Sequence, residues 1–273
     1  MWEKPIGIFD SGLGGLTALK EISRIMPNED IVYLGDTGRA PYGDKDDSTL
    51  KLYAKQDLSF LESQNVKIIL AACGTLSSLA DFSELQINVR LVGVVESACD
   101  SAVKVTKNGK IGIIGTSSTI NSGTYKKKIC SLMPNAVVYQ KACPMFVPLI
   151  ESGNIDCFNS KLMKYAKDYL SVFKELNTDT IILGCTHYPL IETVIRKVVG
   201  SNVNLINSGE KAAELVFKLL KSENKLSSKK SSGKIKFFIS GEKEKFLKVA
   251  NSFLENDLKK DIETVNICKW GSL

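Results

Sequence analysis

Histidine is almost absent from this chain: His187 is the single one among 273 residues. A site built from several imidazoles is therefore excluded. No apolar run approaches the ~18 residues a membrane helix needs, and the opening MWEKPIGIFD lacks the long apolar stretch of a signal peptide. A soluble cytoplasmic protein with no membrane partner is the expectation. The seven cysteines, an odd number, are scattered without paired spacing, which speaks against a disulfide framework and against a CxxC zinc site. Cys99, Cys130, Cys157 and Cys268 stand among helical or strand-like neighbours, where cysteine behaves as a small buried hydrophobe.

Catalytic signatures of the common kinds are also missing. The glycine-rich DSGLGGL (Asp10 to Leu16) joins a strand pattern to a helix pattern, but the last position of a GxGxxG fingerprint is Thr17 here, and no phosphate loop ending in Gly-Lys-Ser/Thr exists. What survives is a turn exposing backbone N–H groups at a helix start, suited to a carboxylate. No GxSxG elbow supports a serine hydrolase. The net charge of +6 is partly local, since KLSSKKSSGKIK (Lys225 to Lys236) holds five lysines and no acid. Without interleaved aromatics it reads as a solvated loop, and no nucleic-acid partner is expected.

What is present is an alternation. IGIF (Ile6 to Phe9) reads as a buried strand, and Leu16, Leu19, Ile22 and Met26 then recur at helical spacing until Pro27. IVYL follows as a strand, Ser48 is placed to cap a helix carrying Leu52, Leu58 and Leu61, and VKIILAA is the next strand. Strands alternating with helices predict an α/β fold with parallel sheets. The pattern then restarts: KIGIIGTSST (Lys110 to Thr119) resembles PIGIFDSGLG (Pro5 to Gly14), and each leads to an Ile-Ile-Leu strand followed by cysteine. Ile6 to Cys73 spans 67 positions and Ile111 to Cys185 spans 74, a spacing expected of two similarly built halves. The polar helix from Ser208, the lysine-rich loop, the strand IKFFIS and the helix EKEKFLKVANSFL are assigned to the first half, on the expectation of similar strand numbers in the two domains. The division expected is 1–96 plus 208–273 against 97–207.

Ligands of open parallel sheets sit beyond the carboxyl ends of the strands, where both Cys73 and Cys185 fall. Two thiols on either side of a bound molecule suit removal of a proton from one face of a stereocentre and its return on the other, because a thiol near pKa ~8.5 serves as acid or base after modest tuning. Asp10 and His187 are the titratable groups nearby, with a helix cap and a core histidine as their structural alternatives. A Cys185–His187 thiol hydrolase stays open but leaves Cys73 idle. A zinc site from Cys73, Cys185, His187 and Asp10 fits by ligand type only.

Taken in order, GIFDSGLGGLTAL, YLGDTGRAPYG, the Cys73 segment, CPMFVPLIE, GCTHYPL and NSGEKAAE resemble the motifs of bacterial glutamate racemases, within the aspartate/glutamate racemase superfamily, from Ile6 to about Phe253. The resemblance implies two pseudo-symmetric α/β domains with the active site between them, no cofactor or metal, a small amino-acid substrate (glutamate, interconverted between L and D forms for peptidoglycan), and room for a homodimer. Carried over by motif, Cys73 and Cys185 are the acid/base thiols, Asp10 and His187 assist them, and Glu151 supports the histidine. Ser11, Tyr42, Gly43, Thr75 and Thr186 are expected to hold the amino-acid backbone through main-chain and hydroxyl groups. Thr116 and Thr119 are expected to reach the side-chain carboxylate, with helix capping as the alternative. The family's Cys-Asn-Thr is Cys73-Gly74-Thr75 here, so a substrate-facing amide is replaced by Gly74, and no proline follows Glu96. Racemisation of aspartate or another amino acid, or simple binding of an acidic metabolite, are the alternatives left standing.

Overall fold

The computed structural model describes residues 3–43, 45–78, 87–254 and 262–271. The parts of the expected first domain at 1–2, 44, 79–86, 255–261 and 272–273 lie outside the described residues. Along the chain come β1 (Ile6–Asp10), α1 (Leu16–Ile25), β2 (Ile31–Gly35), α2 (Asp47–Ser63), β3 (Ile68–Ala71), α3 (Gly74–Ser77) and β4 (Leu91–Gly93). The helix α4 (Val94–Val105) leads to β5 (Lys110–Gly115), α5 (Ser117–Ser122), α6 (Thr124–Leu132), β6 (Val137–Ala142), α7 (Phe146–Glu151), α8 (Ser160–Glu175), β7 (Thr180–Leu183), α9 (Glu192–Val199) and β8 (Asn204–Asn207). Then follow α10 (Ser208–Ser222), β9 (Ile235–Ile239), α11 (Lys243–Leu254) and β10 (Ile262–Thr264).

All pairings described are parallel. One sheet runs β10-β9-β2-β1-β3-β4 and the other β6-β5-β7-β8. Without β9 and β10, both sheets have the same order, second-first-third-fourth, which is the internal repeat seen in space. The strand numbers differ, six against four, because β9 and β10 extend the first sheet beyond β2. Central strands of a doubly covered parallel sheet are buried on both faces and so read as unbroken apolar runs. Every residue of β1, β2, β3 and β7 is buried.

Helix α1 lays Leu16, Ala18, Leu19 and Ile22 on the sheet, with Met26 buried just beyond its end. Each of the leucine, isoleucine and methionine side chains, fully buried, contributes roughly 1.5–3 kcal/mol. Helix α10 packs against both α1 and α4, linking the two layers of helices.

Two local expectations are corrected and a third, the solvated lysine-rich loop, gains detail. The cap of α2 is Asp46 and not Ser48: its carboxylate accepts from the Thr49 N–H at 2.9 Å and from the Ser48 and Thr49 hydroxyls. A carboxylate at a helix N-terminus gains from the dipole as well as from the hydrogen bond, so it outcompetes a serine two positions on. Among the four cysteines read as buried hydrophobes only Cys99 is; Cys130 and Cys157 are half-buried and Cys268 is exposed in a short turn at Ile267–Lys269. The lysine-rich loop is tied down: Glu29 binds Lys67 Nζ and the Ser227 N–H, and Lys229 pairs with Asp30. Acids far off in sequence supply the counter-charge that the loop itself lacks.

Candidate active site

The site is assembled at the carboxyl ends of the two central strands of each half. Asp10 closes β1, Cys73 follows β3, Thr116 follows β5 and Cys185 follows β7. A cavity of about 470 Å³ lies among them, lined from one half by Ser11, Tyr42, Gly43, Cys73, Gly74 and Thr75 and from the other by Thr116, Thr119, Glu151, Cys185, Thr186 and His187. That volume is within the ordinary range for small-molecule sites, roughly 300–1,000 Å³. Among the described residues no lysine or arginine lines it. Anionic groups of a ligand therefore meet hydroxyls, backbone N–H groups and His187.

Asp10 is buried and does not line the cavity wall as the other residues do. Its Oδ2 accepts the Gly12 N–H at 2.9 Å and its Oδ1 the Thr186 hydroxyl at 3.4 Å. The carboxylate that the glycine-rich turn cradles is thus the chain's own, and the cap of α1 is Gly15 with no side-chain bond. Burial pushes the Asp10 carboxyl up from its ordinary range, against the pull of His187 and of the Gly12 and Gly15 N–H groups. The turn is held from below by the Tyr33 hydroxyl, which donates to the Gly12 carbonyl at 2.9 Å. Its glycines serve close approach: a Cβ at Gly14 would overlap the Thr186 hydroxyl and stand 2.5 Å from His187 Nδ1. Thr17, the residue that spoils the dinucleotide fingerprint, donates its hydroxyl to the Thr186 carbonyl at 2.9 Å. That cross-brace between the halves was not anticipated from the sequence.

The two thiols have different surroundings. Cys73 Sγ donates to Ser11 Oγ at 3.4 Å, and burial, then the charge on Asp10, push its thiol up to about 12. Cys185 Sγ lies 3.8 Å from His187 Nδ1, whose Nε2 is 3.0 Å from Glu151 Oε1. The strand ends at Leu183, so a turn rather than a continuing strand brings Cys185 and His187 together. Burial alone would lower the imidazolium's pKa, but the hydrogen bonds with Cys185 and Glu151 outweigh it and raise the ring to about 10. Protonated at neutrality, His187 stands as a proton partner for Cys185.

Three hydroxyls form a chain across the cavity, Thr75 to Thr116 at 3.4 Å and Thr116 to Thr119 at 3.0 Å. Thr116 also caps α5, its side chain accepting from the Thr119 N–H, so the helix-capping alternative is present in the structure. Tyr42 lines the cavity while its hydroxyl is engaged by Asp36 and Asp57. Thr37, Pro41, Ser117, Pro144, Val147 and Pro148 line the cavity without having been singled out. Their signal was their place inside the quoted motifs GDTGRAPYG, GTSST and CPMFVPLIE. Among the described residues no group of three or more His, Cys, Asp or Glu is arranged to hold a metal ion, nor is any helix long and apolar enough to cross a membrane.

Comparison with known proteins places this arrangement among the amino-acid racemases, isomerases built on two parallel α/β domains. The chain belongs to the Asp/Glu/Hydantoin racemase family, whose pattern matches residues 34–216. It is 44% identical over 266 residues to a glutamate racemase of Thermoanaerobacter sp. (strain X514), covering 95% of this chain and 98% of the relative. The solved glutamate racemase of Francisella tularensis subsp. tularensis SCHU S4, in complex with D-glutamate, superposes with a TM-score of 0.91 at 35% identity, covering 99% of this chain and 100% of the other. A glutamate racemase isoform of Bacillus anthracis gives 0.91 at 33%, covering 97% and 98%.

Proposed function

We propose that this chain interconverts L- and D-glutamate without a cofactor, using Cys73 and Cys185 as the two acid/base groups, and so supplies D-glutamate for peptidoglycan. The observation that carries the reading is the placement of one thiol after the third strand of each equivalent sheet, both on one cavity. In the L to D direction the Cys185 thiolate takes the α-proton, the electron pair stays on the α-carbon as a carbanion, and the Cys73 thiol protonates it from the other face. The reverse turnover uses the same groups in opposite protonation states. This assignment of enantiomers follows the family resemblance. Ser11, Gly43, Gly74, Thr75, Thr186 and the Tyr42 main chain hold the α-amino and α-carboxylate groups, and Thr116 with Thr119 hold the side-chain carboxylate. Donors already oriented by the fold stabilise the developing charge without reorganising. The domains of this reading are 1–96 plus 208–273 and 97–207, with the first junction inside the first turn of α4.

The test is circular dichroism of purified protein with each enantiomer of glutamate and of aspartate. Decay of both glutamate signals, with kcat/KM for aspartate lower by at least 100-fold, is expected; racemisation of aspartate in preference to glutamate contradicts the substrate assignment. Dialysis against chelator and treatment with a pyridoxal-trapping reagent are expected to leave the rate unchanged. Loss restored by a metal ion or by pyridoxal phosphate would overturn the cofactor-free reading.

The His187 ring gives a pH prediction. Activity is expected to fall above about pH 10 as the ring loses its proton. Glu151→Gln replaces the anionic acceptor that raises the ring with a neutral and weaker one, so the alkaline limb is expected to move down toward the ordinary value of 6.5. The sign for stability is the same. The ring's contribution is complete below about 6.5, where the unfolded chain is also protonated, and is lost as pH rises through about 10. An unchanged limb in Glu151→Gln would separate Glu151 from the titrating group.

A further inference from the structure

Directly behind the cavity wall lies a polar cluster that the proposed chemistry does not use. Asp36, directly after β2, and Asp57, on α2, are both fully buried, and Arg39 stands between them. Arg39 donates Nε to Asp36 Oδ2 at 2.6 Å, Nη2 to Asp57 Oδ1 at 2.8 Å and Nη1 to Gln56, while its guanidinium stacks 3.9 Å over the Tyr53 ring. Ser240, which follows β9, accepts the Gly38 N–H at 2.9 Å and gives its hydrogen to Asp36 Oδ1 at 2.5 Å. Tyr42 donates its hydroxyl hydrogen to Asp36 Oδ2, and the same hydroxyl oxygen lies 3.1 Å from Asp57 Oδ2.

Counting hydrogens decides how this cluster is held. Asp36 accepts from Ser240, Arg39 and Tyr42 and donates to none. Tyr42 has one hydrogen, already directed at Asp36, so a bare carboxylate oxygen of Asp57 would face the lone pairs of the hydroxyl oxygen. A proton on Asp57 turns that contact into a hydrogen bond. Charge counting agrees, because two buried carboxylates and one guanidinium leave an uncompensated negative charge unless one carboxyl is neutral. We propose that Asp57 is a positioning residue held as a neutral carboxylic acid, donating to Tyr42, and that this charge-balanced cluster fixes the Pro41-Tyr42-Gly43 segment of the cavity wall. Burial first, then the neighbouring Asp36, push the Asp57 carboxyl well above its ordinary range despite Arg39. The link to substrate rests on the functional reading above.

An amide has the donor and acceptor pattern of a neutral carboxyl, so Asp57→Asn imitates the proposed state, whereas Asp57→Ala removes it. KM for the racemised amino acid is expected to stay within about twofold of wild type in Asp57→Asn and to rise at least tenfold in Asp57→Ala and in Asp36→Asn, with kcat changed less than about threefold in all three. Infrared difference spectra of wild type against Asp57→Asn at neutral pH are expected to show a protonated-carboxyl C=O band only in wild type. A KM in Asp57→Asn as poor as in Asp57→Ala, an effect on kcat with KM unchanged, or absence of that band overturns the proposal. Should Asp57→Ala not fold, Asp57→Asn and the infrared band still decide. The band reports Asp57 alone, and turnover by wild type reports the functional reading alone.

Discussion

Cys73→Ala and Cys185→Ala are each expected to lose racemisation, by a factor of at least 10⁴, while keeping a part of the chemistry that differs between them. In the proposed mechanism, run in deuterated water, the variant lacking Cys73 retains the thiol assigned to the L enantiomer's α-hydrogen, and the variant lacking Cys185 the one assigned to the D enantiomer's. Each is therefore expected to exchange the α-hydrogen of at most one enantiomer of glutamate, and not the same one. The factor expected exceeds the 10²–10⁴ typical of general acid–base groups, because losing either thiol leaves the carbanion without a proton source on one face. Mass spectrometry of separated enantiomers reads the result. Appreciable racemisation by either variant, or wild-type behaviour of one of them, would show a single-thiol chemistry.

The second large effect concerns Gly74. A Cβ there would stand well under 3.0 Å from the Gly184 carbonyl oxygen, a backbone atom that no rotamer change can move aside, and Gly184 directly precedes Cys185. Any side chain at 74 must therefore push the segments bearing the two thiols apart by roughly 1 Å, a displacement that costs on the order of 100-fold in rate when the reacting groups must be aligned. The competing effect is the amide that the family's usual asparagine would offer, and a hydrogen bond to a charged group contributes about 1.5–3 kcal/mol. Crowding is expected to win. Both Gly74→Ala and Gly74→Asn should lower kcat/KM by about 100-fold, with asparagine giving no recovery over alanine. A gain in kcat/KM for Gly74→Asn would mean that the halves separate easily and that the missing amide was the larger loss.

Much of this architecture was legible because its signals are local. Buried parallel strands announce themselves as IGIF, KIIL and IGIIG, and the similarity of the Ile6 and Ile111 segments anticipated two similarly built halves, to which the structure adds a common strand order. The cysteines and the histidine were found because rare residue types stood directly after such strands. The interactions that escaped join residues far apart in the chain. Asp36 and Asp57 lie 21 positions apart and meet only through Arg39 and Tyr42; nothing in their flanking residues marks either as buried. The brace from Thr17 to the Thr186 carbonyl crosses 169 positions, and the sequence presented it only as a departure from a nucleotide motif. Glu29 and Asp30 anchor a lysine-rich loop some 200 residues on, which composition alone reads as solvated. The Asp46 cap was a nearer miss, decided by a carboxylate against a hydroxyl within one turn.

Service of the two faces of one carbon by two different thiols is best checked by isotope placement at early conversion. Wild-type protein is given L-glutamate in deuterated water, and the reaction is stopped within the first few per cent of turnover. With two thiols at work, the D-glutamate formed is expected to carry one deuterium at the α-carbon, delivered by Cys73, while the recovered L-glutamate remains largely unlabelled; starting from D-glutamate, the labelled species is the L form. Product that retains the substrate's own α-hydrogen would contradict it, since that requires a single group to carry the hydrogen from one face to the other.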